Sequence, residues 1–264
     1  MNIGIVGLGI VGKANETGFK LLKHTVLVHD IKLRTSLNNL LKTEIIFLCL
    51  PTPPKKNGSC DTSIVENVIK ELCKKKYNGL IVIRSTISPG TTIKFQKKFK
   101  NKKIIFSPEF LRERFATSDF IKNQKLLVIG TKNKNHFKLV KKAHRNLATN
   151  IVQLTENEAE LLKYFNNVFA SMRVVFANIF YDLSKHYKSN YTKIKNAYIK
   201  TGKANDLYLD VNENLRGYGG MCLPKDTLGL INVIKENKLK FKLIQSIHQD
   251  NKLLKKTVFT YLKN

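Results

Sequence analysis

Short apolar runs alternate with amphipathic stretches through the first half of the chain. The runs are rich in β-branched residues, and apolar positions at helical spacing follow most of them. They lie at Asn2–Val6, Thr25–His29, Ile45–Leu50, Leu80–Arg84, Ile104–Ser107, Leu126–Gly130 and Ile151–Leu154. Strands that alternate with helices are typical of βα units, so the pattern predicts an α/β domain with a mostly parallel sheet.

The pattern changes near Thr155. From Glu156 to Lys185 the apolar residues keep helical spacing, which predicts one long helix. Thr155 followed by Glu158 is typical of a capping box at its start. The apolar positions are Leu161, Leu162, Phe165, Val168, Phe169, Met172, Val175, Phe176, Ile179 and Leu183. Such a stripe is either core or a seam between two copies of the chain, and the sequence leaves both open.

A glycine fingerprint follows the first strand and opens a helix. It runs Gly7, Leu8, Gly9, Ile10, Val11, Gly12. The first glycine allows a tight turn, the second lets a pyrophosphate approach the backbone, and the third lets helix and strand pack closely. Asp30, at the end of the second strand, is expected to accept hydrogen bonds from the adenosine ribose and to repel a 2′-phosphate. The combination indicates NAD rather than NADP.

These patterns together predict two domains. We expect a Rossmann-like NAD-binding domain over residues 1–155, followed by an all-helical domain over 156–264 built on the long helix. That second domain would contain shorter helices, a glycine-rich loop and a final helical region from about Asp226.

The net charge of +28 resembles that of a nucleic-acid-binding protein. The basic residues are mostly lysines scattered along the whole length, and their clusters lack interleaved aromatics. We therefore expect no nucleic-acid partner, although the positive field should attract anionic ligands such as nucleotide cofactors and nucleotide sugars.

The remaining bulk features favour a cytoplasmic protein. No apolar run is long enough to cross a bilayer, so we expect no membrane association, and the chain opens directly on a strand, so we expect no signal peptide. The four cysteines have neither CxxC pairing nor metal-ligand spacing. We therefore expect reduced thiols in the cytoplasm, and we expect no metal site.

The most informative stretch is a glycine-rich turn that presents Cys222. It runs Gly217-Tyr218-Gly219-Gly220-Met221-Cys222-Leu223-Pro224-Lys225-Asp226. A nearby cation favours the thiolate, the nucleophilic form of cysteine. A redox cofactor site together with a positioned thiol suggests oxidation of an alcohol through an aldehyde held covalently on sulfur.

Several motifs occur in a characteristic order. They are GLGIVG at the start, LPTP at Leu50–Pro53, STISPGT at Ser85–Thr91, SPEFLRE at Ser107–Glu113, AELLKYFNN at Ala159–Asn167 and GYGGMCLPKD at the end. The series resembles the UDP-glucose/GDP-mannose dehydrogenase family, and within it the UDP-glucose 6-dehydrogenases. The resemblance implies an NAD-dependent, four-electron oxidation of a nucleotide-sugar primary alcohol to a carboxylate, as in UDP-glucose to UDP-glucuronate for polysaccharide biosynthesis.

The resemblance also implies residue roles. Cys222 would capture the C6 aldehyde as a thiohemiacetal that becomes a thioester. Lys163 and Asn167, one helical turn apart, would stabilise negative charge on the C6 oxygen, and Asp226 would order a water that takes the alcohol proton. Glu109, assisted by Thr86, would be the base for water attack on the thioester.

The same resemblance implies two binding sets. The cofactor set comprises Gly7, Gly9, Ile10, Val11, Gly12, Asp30, Thr52, Ser85, Thr86, Glu113 and Lys225. The substrate set comprises Glu109, Phe110, Leu111, Arg112, Lys163, Asn167, Gly219, Gly220 and Cys222. Several members also have a purely structural explanation, because Asp226 could cap the final helix and Thr52 and Ser85 could serve as turn residues.

The chain departs from the family pattern in several places. Members usually continue into a domain that closes over the nucleotide, so we expect that domain to be missing from this chain. The segment from Asp30 to Leu50 is short, Arg114-Phe115 replaces small residues, and the run 212–216 differs. We expect a homodimer through the long helix, since a single copy would leave its apolar stripe exposed.

Two other functions remain open from the sequence. A two-electron hydroxyacid-type dehydrogenase would share the glycine fingerprint and the helical second domain but would have no use for Cys222. A truncated, non-catalytic protein that binds NAD or a nucleotide sugar is the other.

Overall fold

The computed structural model describes residues 1–254. They cluster into two compact units. The first comprises Met1–Pro53 and Cys60–Lys163, and the second comprises Pro54–Ser59 and the described residues from Tyr164 onward.

The first unit is built on one seven-stranded sheet with the order β2-β1-β3-β4-β5-β6-β7. The strands are β1 (Asn2–Val6), β2 (Thr25–His29), β3 (Ile45–Leu48), β4 (Leu80–Ile83), β5 (Ile104–Phe106), β6 (Leu126–Gly130) and β7 (Asn150–Leu154). All neighbours pair in parallel except β5 and β6, which pair antiparallel through Phe106 and Gly130. The predicted mostly parallel α/β fold is confirmed.

Three strands end slightly earlier than their apolar runs. Strand β3 stops at Leu48 rather than Leu50, and β4 and β5 each stop one residue short of the prediction. Cys49, Arg84 and Ser107 still donate their backbone N–H to the neighbouring strand. The chain leaves the sheet at these points, so the final residues of each predicted run belong to a loop at the carboxyl edge of the sheet.

Successive side chains of the central strands enter two separate cores. Ile46 and Leu48 join one apolar cluster, and Ile45 and Phe47 join the other. Helices α2 (Ser63–Lys74) and α3 (Thr91–Lys98) contribute to the first cluster; α1 (Ile10–Leu21), α4 (Ala116–Ile121) and α5 (Lys134–His144) contribute to the second. Burial on both faces explains why these strands are continuous apolar runs.

A long helix runs from the first unit into the second. Helix α6 spans Glu156–His186, which confirms the predicted long helix to within one residue. Its capping box forms as expected: Thr155 N–H donates to Glu158 Oε2 at 2.7 Å, and Glu158 N–H donates to Thr155 Oγ1 at 3.3 Å.

Three further helices follow in the second unit: α7 (Tyr191–Lys200), α8 (Leu223–Glu236) and α9 (Leu243–Leu253). Helix α8 begins three residues before the predicted start near Asp226. Pro224 lies in its first turn, a position that suits proline because the first helical N–H groups have no intrahelical acceptor. Asp226 is therefore inside the helix rather than at its cap.

The apolar stripe of α6 is only partly core. Val168 and Val175 are buried. Six other members of the stripe are between 45% and 69% exposed: Leu161, Phe165, Phe169, Phe176, Ile179 and Leu183. The stripe is wider than the face that packs within one copy of the chain.

Glu160 is a buried carboxylate near the start of α6. Its oxygens accept the backbone N–H groups of Gly90 and Thr92 at 2.5 and 2.8 Å and the Thr92 hydroxyl at 2.6 Å. These amides belong to the N-terminus of α3, where a negative charge is favourable. Burial nevertheless outweighs these hydrogen bonds and raises the pKa of Glu160 from 4.5 to about 7.

Replacing Glu160 by glutamine is expected to lower the melting temperature more at pH 5 than at pH 8. The unfolded chain ionises this carboxyl near its ordinary pKa of 4.5, and the folded chain ionises it near 7. The stabilising contribution is therefore full below about pH 4.5 and is lost as pH rises through 7, a change of about 3 kcal/mol. Glutamine does not titrate. Thermal unfolding at both pH values checks this, and a deficit that grows toward pH 8 would contradict it.

Candidate active site

The carboxyl ends of the parallel strands meet at one edge of the sheet. Strand β1 lies between β2 and β3, and the last residues of these strands, Val6, His29 and Leu48, are in register. The chain goes from β1 to β2 on one side of β1 and then from β2 to β3 on its other side, so the strand order reverses here, and ligands of α/β proteins bind at such a switch point. The loops that follow these strands therefore form the candidate cofactor site.

The glycine fingerprint adopts the geometry that the sequence predicts. Gly7 has a φ of +90°, which a side chain would strain, and its Cβ would lie 2.6 Å from the Cys49 carbonyl oxygen. A Cβ on Gly12 would lie 1.9 Å from the Gly7 carbonyl oxygen, so helix α1 packs directly against the turn. At Gly9, by contrast, a Cβ would meet no described atom within 4 Å. The backbone there is open to a close ligand.

The N-terminus of α1 is suited to an anion. Gly9 is the N-cap, and within residues 1–254 no side chain caps the helix. The amides of the first turn, including those of Ile10 and Val11, are therefore available for phosphate oxygens. These features fit the pyrophosphate of a dinucleotide.

Asp30 lies at the same edge, after β2. Its Oδ2 accepts the Leu8 N–H at 2.7 Å and its Oδ1 accepts the Lys32 N–H at 2.8 Å. These hydrogen bonds, with Leu8 the larger cause, lower the pKa of Asp30. The carboxylate is therefore anionic at neutral pH and is tied to the glycine loop.

Thr52, Ser85 and Thr86 join the loops after β3 and β4. The Thr52 hydroxyl donates to the Thr86 carbonyl at 2.8 Å. The Ser85 hydroxyl accepts the Leu50 N–H at 2.8 Å and donates to the Leu48 carbonyl at 3.2 Å. Thr52 and Ser85 are buried, and these hydrogen bonds give both side chains a structural role in joining the loops. Thr86 is half-buried.

Asp30→Ala is expected to weaken NAD binding by about 10- to 100-fold and to narrow the preference for NAD over NADP. A hydrogen bond to a charged group contributes roughly 1.5–3 kcal/mol, and the negative charge that repels a 2′-phosphate would be lost. Calorimetric titration with each cofactor measures both effects, with the exposed Asp250→Ala on α9 as control. Equal affinity of the unmodified protein for NAD and NADP would rule out this role of Asp30.

Glu109 and Lys163 form a nearly buried ion pair. Lys163, on α6, donates from Nζ to the Glu109 carbonyl oxygen at 2.6 Å and to Glu109 Oε1 at 3.2 Å. Their side chains are 4% and 12% exposed. The ring centre of Phe110 lies 5.4 Å from Lys163 Nζ. The structure thus brings together two predicted catalytic residues that are 54 positions apart.

The other residues of the SPEFLRE segment either bond to nearby residues or lie exposed at the surface. Leu111 donates its N–H to Glu109 Oε2 at 2.6 Å, which fixes the second carboxylate oxygen. Arg112 makes a two-pronged ion pair with Asp119 at 2.9 and 2.7 Å. Glu113 is exposed at the start of a short 3₁₀ turn. Arg112 therefore binds a residue outside the predicted set.

Arg84 is a buried residue that the sequence analysis did not assign to the site. It is 1% exposed, and its Nη1 donates to the carbonyl oxygens of Ser107 and Pro108 at 3.3 and 3.2 Å. Its Nη2 donates to His144 Nε2, while His144 Nδ1 donates to the Val140 carbonyl. Burial, together with Arg84, lowers the pKa of His144 well below its ordinary value, so the ring stays neutral.

This arrangement anchors the residues directly before Glu109. The only signal in the sequence was a charged residue at the end of an apolar strand, directly before the STISPGT motif. Burial also lowers the pKa of Arg84, to about 10, which leaves it cationic at neutral pH.

In the second unit, Asn167 and Asp226 are in direct contact. Asn167 Nδ2 donates to Asp226 Oδ2 at 2.5 Å, and Lys225 donates to Asp226 Oδ1. Asn167 is 6% and Asp226 1% exposed. The carboxylate of Asp226 is thus held by an amide from α6 and an ammonium from its own helix.

Cys222 occupies the N-cap position of α8. The residue is exposed, and its carbonyl accepts the Asp226 N–H at 2.9 Å. The preceding Gly219 and Gly220 are half-buried, and Gly220 has a φ of +77°, in the region that favours glycine. The predicted nucleophile is therefore accessible and lies at a helix N-terminus.

Residues 1–254 contain neither a metal-ligand cluster nor a membrane-spanning helix. No group of three or more His, Cys, Asp or Glu side chains there could hold a metal ion. No helix in the same range combines the length and apolarity needed to span a membrane.

Two family models match consecutive parts of the chain. Residues 31–148 match the NAD-binding domain of the UDP-glucose/GDP-mannose dehydrogenase family, and residues 157–253 match the central domain of the same family. The first part is therefore the family's NAD-binding domain.

Curated proteins and solved structures agree with this match. The chain is 29% identical over 246 residues to a UDP-glucose 6-dehydrogenase of Rickettsia prowazekii, which covers 88% of this chain and 55% of that protein. It is 30% identical to the enzyme of the same name from Rickettsia bellii, over 86% of this chain and 54% of that protein. A UDP-glucose dehydrogenase from Pyrobaculum islandicum superimposes with a TM-score of 0.87 at 24% identity, covering 96% and 68% of the two chains.

The chain spans about half the length of the curated relatives it matches. The two matched domains nevertheless occur in the family's order and together extend over most of the chain, on the fold that the sequence predicts. The chain belongs to the UDP-glucose/GDP-mannose dehydrogenase family.

Proposed function

We propose that the protein catalyses an NAD-dependent, four-electron oxidation of a nucleotide sugar, with UDP-glucose as substrate and UDP-glucuronate as product. The observation that carries the proposal is the exposed Cys222 at the start of α8, one helical turn before the buried Asp226. A two-electron oxidation needs no nucleophile, whereas oxidation of an aldehyde to an acid is made easier by a covalent thiol adduct. We place this activity in the cytoplasm, where thiols stay reduced.

Cys222 would retain the substrate between two oxidations. Bound NAD⁺ supplies a hydride acceptor for each of them. The Cys222 thiolate would add to the C6 aldehyde carbon to form a C–S bond, and the resulting thiohemiacetal would lose a hydride and a proton to become a thioester. Water would then break the C–S bond, releasing the carboxylate and restoring the thiol.

Lys163, Asn167 and Asp226 would handle charge and protons at the C6 oxygen. Lys163 carries a buried ammonium, and Asn167 lies one turn farther along the same helix. An ammonium in a dry environment stabilises developing negative charge far more than one in water. Asp226, held by Asn167, would order the water that takes the alcohol proton.

Glu109 would be the base that activates water for hydrolysis of the thioester, with Thr86 assisting. Its carboxylate is fixed by Lys163 and by the Leu111 amide. Phe110, Leu111, Arg112, Gly219 and Gly220 would line the sugar, and Glu113 and Lys225 would lie near the nicotinamide. We propose that these roles are divided between a cofactor domain over residues 1–155 and a helical domain over residues 156–264, of which residues 255–264 lie outside the described part of the chain.

The test is the number of NADH molecules formed per sugar consumed, measured by absorbance with limiting UDP-glucose, GDP-mannose and UDP-N-acetylmannosamine in turn. We expect two NADH per UDP-glucose and the carboxylate as product. One NADH per sugar would favour the two-electron hydroxyacid-type alternative. Tight NAD binding without turnover of any sugar would favour a non-catalytic binding protein.

We also propose that two copies of the chain associate through α6. The exposed apolar side chains of this helix are the support, because burying them would stabilise a dimer by roughly 25 cal/mol per Å². Light scattering at micromolar concentration should give twice the chain mass. Phe176→Glu should give the monomer, whereas Tyr198→Glu, which replaces an exposed aromatic on α7, should not. A monomeric unmodified protein would remove this proposal.

A further inference from the structure

We propose that Asn251 is a positioning residue for the loop that carries Cys222. The proposal rests on the proposed function of that thiol, and it concerns a side chain on α9 that none of the motifs contains. It follows from how the glycine-rich loop is held within the second unit.

The side-chain amide of Asn251 binds both sides of one residue in the loop. Its Oδ1 accepts the Tyr218 N–H at 2.6 Å, and its Nδ2 donates to the Tyr218 carbonyl at 3.0 Å. An asparagine amide supplies one acceptor and two donors, so it can replace the pairing that a strand neighbour would provide. Asn251 therefore fixes the two peptide groups that flank Tyr218.

The loop needs such an external support. Gly217 and Gly220 have φ values of +62° and +77°, conformations that glycine adopts freely and leaves as freely. Tyr218, between them, is 4% exposed and packs in an apolar cluster with Val175 and Ile247. Ile247 lies one turn before Asn251 on α9, so this helix face holds both the ring and the backbone of Tyr218.

Cys222 lies between two fixed points. Tyr218 precedes it by four residues, and Asp226, whose N–H binds the Cys222 carbonyl, follows it by four. Only the segment 219–221 separates the Asn251-bound residue from the thiol. Loss of the Asn251 bonds would release the first fixed point, and the thiol would leave its place at the N-terminus of α8. A helix N-terminus favours the thiolate, so a displaced thiol reacts more slowly.

The test measures the reactivity of Cys222 directly. We compare the rate of carboxamidomethylation by iodoacetamide at pH 7.5, followed at Cys222 by mass spectrometry, in the unmodified protein, Asn251→Ala, Asn251→Asp and Asn237→Ala. Asn237 is an exposed asparagine at the end of α8, and among residues 1–254 its side chain bonds only to its own helix, through the Val233 carbonyl; it is the matched control. Melting temperatures are recorded for all four proteins.

We expect the alkylation rate to fall about 3- to 10-fold in Asn251→Ala and to be partly rescued in Asn251→Asp, which keeps the acceptor for the Tyr218 N–H. Asn237→Ala should react like the unmodified protein. If Asn251→Ala does not fold, the aspartate variant decides, because its intermediate rate is expected only from a positioning role. Unchanged rates in folded Asn251 variants would overturn the proposal.

Measurements of turnover distinguish a failure of this proposal from a failure of the proposed function on which it rests. With an active protein, kcat should fall in Asn251→Ala while KM for NAD stays the same. A changed alkylation rate in a protein that oxidises no nucleotide sugar would retain the positioning role and reject the function. Normal turnover of Asn251→Ala with an unchanged alkylation rate at Cys222 would retain the function and reject the positioning role of Asn251.

Discussion

Replacing Cys222 by serine is expected to lower the rate of NADH formation with UDP-glucose at least about 1,000-fold, a loss typical of removing an enzyme's nucleophile. A serine hydroxyl is rarely ionised at neutral pH, and an alkoxide is a poorer leaving group than a thiolate. The exposed position of Cys222 at the N-cap of α8 makes a stability effect small. The steady-state rate, measured with saturating NAD and UDP-glucose, checks this.

The other cysteines provide the control for this substitution. Cys73→Ala, on α2, should leave the rate of NADH formation unchanged. Cys49 and Cys60 should likewise be replaceable without loss of chemistry, and burial raises the pKa of the Cys49 thiol to about 12, which keeps it protonated and unreactive. Full activity of Cys222→Ser would eliminate covalent catalysis and promote the two-electron alternative.

Lys163→Met is expected to reduce kcat by about 100- to 1,000-fold while the affinity for NAD changes little. Removing one preorganised donor from a developing oxyanion has this magnitude of effect. The substitution also leaves the carboxylate of Glu109 without its ammonium partner in a nearly buried site, so the melting temperature should fall. Stopped-flow measurement of NADH formation and calorimetric titration with NAD separate the chemical step from cofactor binding.

A second variant isolates the stability effect of the unpaired Glu109 carboxylate. Lys163→Met combined with Glu109→Gln removes both charges, so it should recover much of the lost melting temperature. Its rate should stay low, because Glu109 is itself the proposed base for hydrolysis of the thioester. Lys185→Met, on the same helix, breaks an exposed ion pair with Glu213 and a cation–π contact with Tyr181, and it should change neither quantity measurably. Recovery of the rate in the double variant would remove the catalytic roles proposed for both Lys163 and Glu109.

The sequence was sufficient to predict features that depend on residues close together in the chain. The central strands are buried on both faces, so their apolar runs predict them directly, and a glycine fingerprint between a strand and a helix admits few geometries. The capping box at Thr155 and the extent of α6 are equally local and are confirmed.

Partnerships between distant segments could not be predicted in the same way. Glu160 appears as one more polar residue on a helix, and only the structure shows that it binds the start of α3, about 70 positions earlier. Asn251 lies outside every motif, although Tyr218 lies inside one. The exposed part of the α6 stripe was also undecided, because periodicity identifies an apolar face without specifying what covers it.

The buried guanidinium of Arg84 has a consequence for how the first unit folds. Its acceptors are the carbonyl oxygens of Ser107 and Pro108, directly after β5, and Nε2 of His144 at the end of α5. Burying a cation without its hydrogen-bond acceptors costs several kcal/mol. A partly folded core that buries Arg84 is therefore unstable until β4, β5 and the end of α5 are all in place. Unfolding of this unit should therefore be cooperative, and a fragment that ends before α5 should fail to form even the parallel strands that it contains.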